Sequence, residues 1–258
     1  MDRKKALALF LCGATLQIWI VCIIVYFLRS TGIIVNSTSP AGIIAIAVGG
    51  SSSALWGIIC LTKYKKVTIK TIIKDFFDIK QKPGSYLTAF LFLFIDFLPV
   101  FFSGKLIIAS WYTPFVIFLS SLLLGGIEEI PWRYFFQPAL QEKHSYVPST
   151  LITFIAWEIW HLPFIYLWDH IVISDIPSFS LGLLTNCFIL SALFIRTKSL
   201  WICVMTHSMI NVLTQITSGG STAASVICKA VIIGLAIFLS SSAQKADKET
   251  PLNKTDPS

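Results

Sequence analysis

Eight long apolar runs separated by short polar stretches organise the sequence, at about 7–28, 41–61, 87–102, 106–125, 150–168, 179–195, 200–217 and 224–239. A membrane-spanning helix needs about 20 consecutive apolar residues, with a lower limit near 17, so each run predicts a span and several sit near that limit. The pattern therefore predicts an all-α fold, a polytopic membrane helical bundle with about eight transmembrane helices. The first run is expected to stay in place as a helix. No small-residue cleavage site closes it, and Tyr26-Phe27-Leu28-Arg29 follows instead.

Composition strengthens this picture. Of 258 residues, 55% are hydrophobic and 13% charged, and the mean hydropathy is +0.77. Ordinary soluble domains carry about 25% charged residues. This chain lacks the polar residues to clothe a soluble core, so a soluble enzyme and a secreted disulfide scaffold are poor readings. Six cysteines (Cys12, Cys22, Cys60, Cys187, Cys203, Cys228) all lie in or beside apolar runs, with no C-x-x-C pair. They read as small buried apolar residues rather than as disulfides or a thiolate zinc site.

The net charge of +7 points to a membrane rather than to nucleic acid, because of where the cations fall. Arg3, Lys4 and Lys5 precede the first run, and seven lysines (Lys63, Lys65, Lys66, Lys70, Lys74, Lys80, Lys82) share one loop. With Arg133, Lys143, Arg196, Lys198, Lys245, Lys248 and Lys254, these fall on one side of an eight-span model. Only Arg29, Lys105 and Lys229 fall towards the other. By the positive-inside rule both termini are expected to be cytoplasmic. Loop 63–86 interleaves its lysines with Ile69, Ile72, Ile73, Phe76, Phe77 and Ile79, which predicts a short amphipathic helix at the interface. Residues 1–240 read as a single integral-membrane domain with a motif-bearing core at about 106–217. Residues 241–258 read as a polar, disordered cytoplasmic tail.

Ionisable side chains at membrane depth are costly and mark functional sites by default. They are Asp96 in the third run, Glu128, Glu129 and Arg133 at the end of the fourth, Glu158 and His161 in the fifth, and His207 in the seventh, with Asn211 beside it. His144 and His170 fall in loops and read as solvated. On a helix, Glu129 and Arg133 form an i, i+4 pair and neutralise each other. Glu128, about 100° round the axis, then faces a cavity without that partner, as a general base would. The bland alternative is a solvated acidic pair near the headgroups. With Ser149 as N-cap, His161 lies about 18 Å along its helix. Asn211 lies one turn beyond His207, so the two side chains can present donors to one point, as an oxyanion hole or as metal ligands. Glu128, His161 and His207 are all acceptable zinc ligands. Glu158 and His161 share a helix face at the i, i+3 spacing of di-iron bundles, but the second such motif is missing.

Together these residues resemble a known family. Glu128-Glu129 with Arg133, then His161-Leu162-Pro163, then His207 with Asn211, is similar to the CPBP intramembrane proteases. These include the CAAX prenyl endopeptidases of the Rce1 type and the bacterial Abi, or bacteriocin-immunity, proteins. The motifs stretch from Glu128 to Asn211, about a third of the chain. The family usually has Phe four residues before the histidine of its second motif. Trp157 stands there and is expected to repack the pocket wall with little chemical consequence. Pro131 is expected to kink its helix or open its last turn and so help water reach Glu128.

The resemblance implies an intramembrane endopeptidase. Glu128 and His161 would activate water, directly or through a divalent metal such as zinc. Glu129 and Arg133 would support them, and His207 and Asn211 would stabilise the oxyanion. The implied partners are the lipid bilayer and a membrane-associated peptide or prenylated-protein substrate, with no nucleic acid, in a prokaryotic cell membrane. A non-catalytic immunity or scaffold protein, and a transporter using Asp96, are the alternatives.

Overall fold

A computed structural model describes residues 1–168 and 175–249. Helix α1 (Arg3–Ser30) starts where the Asp2 side chain caps the backbone N–H of Lys5 at 2.9 Å. One stripe of α1 is buried (Ala6, Phe10, Ala14, Ile18, Cys22, Val25), yet Leu16, Ile20, Ile23, Ile24 and Phe27 are exposed. A helix apolar on its buried and exposed sides alike belongs in lipid. The second span is α2 (Pro40–Gly50), α3 (Ser52–Cys60) and a wider π turn at Leu61–Lys65. The turn closes at Lys66, whose backbone is left-handed. Helix α4 (Ile69–Phe76) follows, capped by Thr68. Ile72 and Phe76 are buried while Ile69, Ile73, Phe77 and Ile79 are exposed beside the lysines, the arrangement expected of an interfacial helix.

Helix α5 (Pro83–Ser103) ends in strand β1 (Gly104–Leu106). Helix α6 (Thr113–Leu124) leads through a 3₁₀ turn at Gly126–Glu128 and a π-helical stretch at Ile130–Phe136 into α7 (Gln137–Gln141). Then come α8 (Tyr146–Trp168), α9 (Ile176–Thr197) and α10 (Leu200–Ile216). Strand β2 (Thr217–Gly219) pairs antiparallel with β1, Lys105 opposite Ser218, and α11 (Thr222–Glu249) closes the order. Among the described residues, seven helical segments are long and apolar enough to cross a membrane, with Leu200–Ile216 as a shorter apolar helix. The protein is a multi-pass integral membrane protein.

Polar contacts tie the helices together at both ends of the bundle. At one end of the bundle Arg3 donates to the Ala139 carbonyl at 3.1 Å, and Lys65 meets Glu142 at 2.5 Å. Glu142 also accepts from Tyr64. Partial burial disfavours its charge, but these two bonds outweigh that and hold the Glu142 carboxyl below its ordinary range. At the other end Arg29 donates to the Val35 carbonyl at 2.8 Å, and the β ribbon lies at the ends of α5 and α10.

Several expectations are corrected. The fourth span begins at Thr113 rather than 106, because β1 and the turn after it occupy the earlier residues. Ser149 is not an N-cap, since α8 already starts at Tyr146. Its hydroxyl instead lies beside the His144 carbonyl, at the limit of hydrogen bonding. Cys12 is exposed on the lipid-facing side of α1, unlike Cys22, Cys60, Cys187 and Cys203. Helix α11 runs on to Glu249, through Ala243, Lys245, Ala246 and Lys248, which are good helix formers. So the tail is helical where irregular chain was expected; residues 250–258 lie outside the described residues.

Candidate active site

The chemistry-bearing side chains are carried by the α6–α7 connection, α8 and α10. This connection is irregular for a reason. Pro131 has no N–H to give to the turn before it, and its ring crowds that turn. The chain responds with a tight 3₁₀ turn before Glu129 and a wide π turn after it, rather than with a break. The kink expected at Pro131 is therefore a change of helical winding within one continuous span. Gly57 of α3 makes room for it, because a Cβ there would fall 2.6 Å from the Pro131 Cβ. Helix α3 can thus lie directly against the site's backbone.

The winding points Glu128 and Glu129 at different neighbours. Glu129 and Arg133 are completely buried and face each other, Arg133 Nε to Glu129 Oε2, at 3.6 Å. Arg133 is held mainly by its surroundings: its guanidinium lies over the Trp157 ring at 4.5 Å, and Nη2 donates to Cys187 Sγ at 3.7 Å. The other Glu129 oxygen meets His207 Nδ1 at 2.7 Å. So the expected ion pair forms, and it also orients the α10 histidine from behind. Fixing Nδ1 leaves His207 Nε2 as the nitrogen that faces the site.

Glu128 is separated from that pair, as the helical arithmetic anticipated, but it is not bare. Its Oε2 accepts a 2.7 Å hydrogen bond from Trp157 Nε1 and lies 4.0 Å from His161 Nε2. His161 Nδ1 lies 2.8 Å from the Trp157 carbonyl. A carbonyl only accepts, so Nδ1 carries the proton and Nε2 turns towards Glu128. Trp157 thus touches nearly every part of the site. It donates to Glu128, lies under Arg133, and has the rings of His161 and His207 at 5.3 and 5.6 Å. The expectation that this residue only repacks a wall is corrected, since phenylalanine has no N–H to offer. Trp157→Phe should keep the fold and lower turnover about tenfold to a hundredfold, the range for losing a hydrogen bond to a charged group. Steady-state kinetics with KM unchanged would verify it.

Asn211 and His207 converge as their spacing on α10 suggested, and Gly125 is what lets them. A Cβ on Gly125 would lie 2.3 Å from Asn211 Nδ2 and 3.3 Å from His207 Nε2. Two nitrogens therefore hang over one bare stretch of backbone, three residues before Glu128. Gly125 has ordinary helical dihedrals, so alanine is tolerated by the backbone, and the group it displaces is the end of a side chain. Gly125→Ala should leave the melting temperature within a few degrees of wild type while cutting turnover about a hundredfold, as loss of an oxyanion donor does.

Other candidates are placed elsewhere. Glu158 accepts from the Ser180 hydroxyl, away from the Glu128 cluster, which removes the i, i+3 ligand pairing with His161. Asp96 meets Lys229 of α11 at 2.9 Å, so it is an ion-paired acid rather than a solitary one. His144 is exposed in a bend, and His170 lies outside the described residues.

The Rce1-like family model, described as type II CAAX prenyl endopeptidase Rce1-like, matches residues 109–213. Over that stretch the chain is similar to this family. No curated protein matches the chain. The matched segment contains Glu128, Glu129, Arg133, Trp157, His161, His207 and Asn211, the residues of this site. It begins just before α6 and ends within α10, leaving α1 to α5 and α11 as a surround.

A metal was a further expectation. Among the described residues no three His, Cys, Asp or Glu side chains are grouped as a metal would need. Glu128 Oε2 accepts from Trp157 and His207 Nδ1 meets Glu129, so Glu128 Oε1, His161 Nε2 and His207 Nε2 are the atoms that would have to meet a metal.

Proposed function

We propose that this chain is an intramembrane endopeptidase that hydrolyses a peptide bond of a membrane-associated substrate, a peptide or a prenylated protein, in a prokaryotic cell membrane. The observation that carries the reading is the 4.0 Å separation of Glu128 Oε2 and His161 Nε2. That is too long for a direct hydrogen bond and suits one water molecule that donates to both. Both groups are acceptors, so the water's two hydrogens point at them and its lone pairs point outward, at the substrate.

In the reaction, water oxygen attacks the scissile carbonyl carbon while Glu128 takes one water proton. The carbonyl oxygen becomes an oxyanion and accepts hydrogen bonds from Asn211 Nδ2 and His207 Nε2. For Nε2 to donate, the Glu129–His207 pair must hold two protons, one in the Nδ1···Oε1 bond and one on Nε2. Arg133 beside Glu129 fixes the carboxylate that holds Nδ1. When the C–N bond breaks, the proton held by Glu128 passes to the leaving nitrogen, with His161 as its relay. The products are a carboxylic acid and an amine, and the acid's remaining water proton passes to the amine, leaving a carboxylate and an ammonium.

Purified protein in proteoliposomes, given a library of membrane-anchored peptides and read by mass spectrometry, tests the reading. Discrete cleavage that is lost in His161→Ala and unaffected by a chelator is expected. Cleavage retained in His161→Ala would refute the role of the pair, and cleavage abolished by the chelator would refute the metal-free route.

A further inference from the structure

A cavity of about 350 Å³ lies apart from Glu128. It lies towards the β-ribbon end of the bundle, among α5, α9, α10 and the start of α11. It is lined by Asp96 and Lys229, which are 2.9 Å apart with 6% and 16% of their side chains exposed. Taking two charges out of water is costly, and their attraction repays it only where further hydrogen bonds satisfy the remaining protons and lone pairs. This pair borders an open chamber. Lys229 donates one hydrogen to Asp96 Oδ1, and no further hydrogen bond of either side chain is seen among the described residues. The walls mix the polar Asn186, Thr214, Ser221 and Ser225 with the apolar Phe97, Val100 and Ile210. A water molecule occupies about 30 Å³ of liquid, so the chamber has room for roughly ten, or for one small polar molecule.

We infer that this chamber binds a small zwitterion bearing a primary ammonium and an anionic oxygen group, the ammonium seated on Asp96 and the anion on Lys229. Adjacent opposite charges with unfilled hydrogen-bonding capacity are complementary to a ligand that carries the same two charges in reverse. A lone anion or cation would satisfy one member of the pair and compete for the other. A quaternary ammonium could not donate to Asp96. The wall hydroxyls and the Asn186 amide suit phosphate or carboxylate oxygens. An aminoethyl-phosphate headgroup and a free zwitterion share this chemistry.

Native mass spectrometry of the full chain released from nanodiscs separates the sources. One arm compares phosphatidylethanolamine with phosphatidylcholine and phosphatidylglycerol; another offers free phosphoethanolamine or glycine to detergent-solubilised protein. Selective retention of phosphatidylethanolamine, or binding of a free zwitterion, is expected, with at least a tenfold loss in Asp96→Asn and Lys229→Met. Because those variants disturb a buried pair, Gly182→Leu is the control. Gly182 lines the chamber and a Cβ there meets no atom within 4 Å, so the backbone side of the position has room for leucine. It should abolish binding and leave the melting temperature unchanged. Equal retention of all three lipids with no binding of free zwitterion would overturn the proposal, as would binding that survives Gly182→Leu. The readout is binding alone, so it stands or falls independently of peptidase activity.

Discussion

Glu128→Gln should lower peptide-bond cleavage by about a thousandfold, within the range that general acid–base groups contribute, without loss of the folded protein. The substitution is nearly isosteric, and the amide oxygen still accepts from Trp157 Nε1, so the 2.7 Å bond to α8 can persist. What is lost is the capacity to take a proton from water. The same oxygen faces both Trp157 and His161, so the amide oxygen can still hold the water, and the loss is of proton abstraction alone. Single-turnover rates on a substrate found by the library screen measure the effect. A Glu128→Gln rate within tenfold of wild type would remove the carboxylate from the mechanism. A non-catalytic immunity or scaffold role predicts that biological activity survives this change.

Arg133→Met should destabilise the protein by about 3–5 kcal/mol, the range for breaking a buried ion pair from one side. Both partners are completely buried, so no solvent is available to take over the uncompensated charge of Glu129. Methionine fills much of the space over the Trp157 ring, which keeps packing loss small and leaves electrostatics as the main term. The double variant Glu129→Gln/Arg133→Met should regain most of the stability, because two neutral groups of similar size replace the pair. It should stay inactive, since His207 Nδ1 loses the carboxylate that orients it. Thermal melts in one detergent, with cleavage measured on the same preparations, separate the two effects. Equal melting temperatures for wild type and Arg133→Met would show that the pair carries no structural weight.

Much of this site was legible because the chain has so few charges at membrane depth. Glu128, Glu129, Arg133, His161, His207 and Asn211 stood out against apolar neighbours, and helical spacing separated Glu128 from the Glu129–Arg133 pair and joined His207 to Asn211. Contacts between helices were not legible, since spacing speaks only for one helix at a time. The Glu129–His207 bond joins residues 78 positions apart, and the Asp96–Lys229 bond residues 133 apart. Trp157 was undervalued because its aromatic bulk matched the family pattern, while its N–H, the feature that matters, acts only once α8 stands beside the 3₁₀ turn. Gly125 was visible in the sequence before the acidic pair, but its purpose depends on α10 lying 2.3 Å from an absent Cβ. Local winding was also hidden: the π turn at Ile130–Phe136 is a compromise between Pro131 and packing against α3 and α10.

The most direct test is cleavage of a membrane-anchored peptide in water enriched in the heavy oxygen isotope, with wild type and Glu128→Gln side by side. The wild type is predicted to place one heavy oxygen in each newly formed carboxylate, and Glu128→Gln to form almost none of that product. Equal labelled product from both proteins, or no cleavage by the wild type across the substrate library, would contradict a Glu128-activated water.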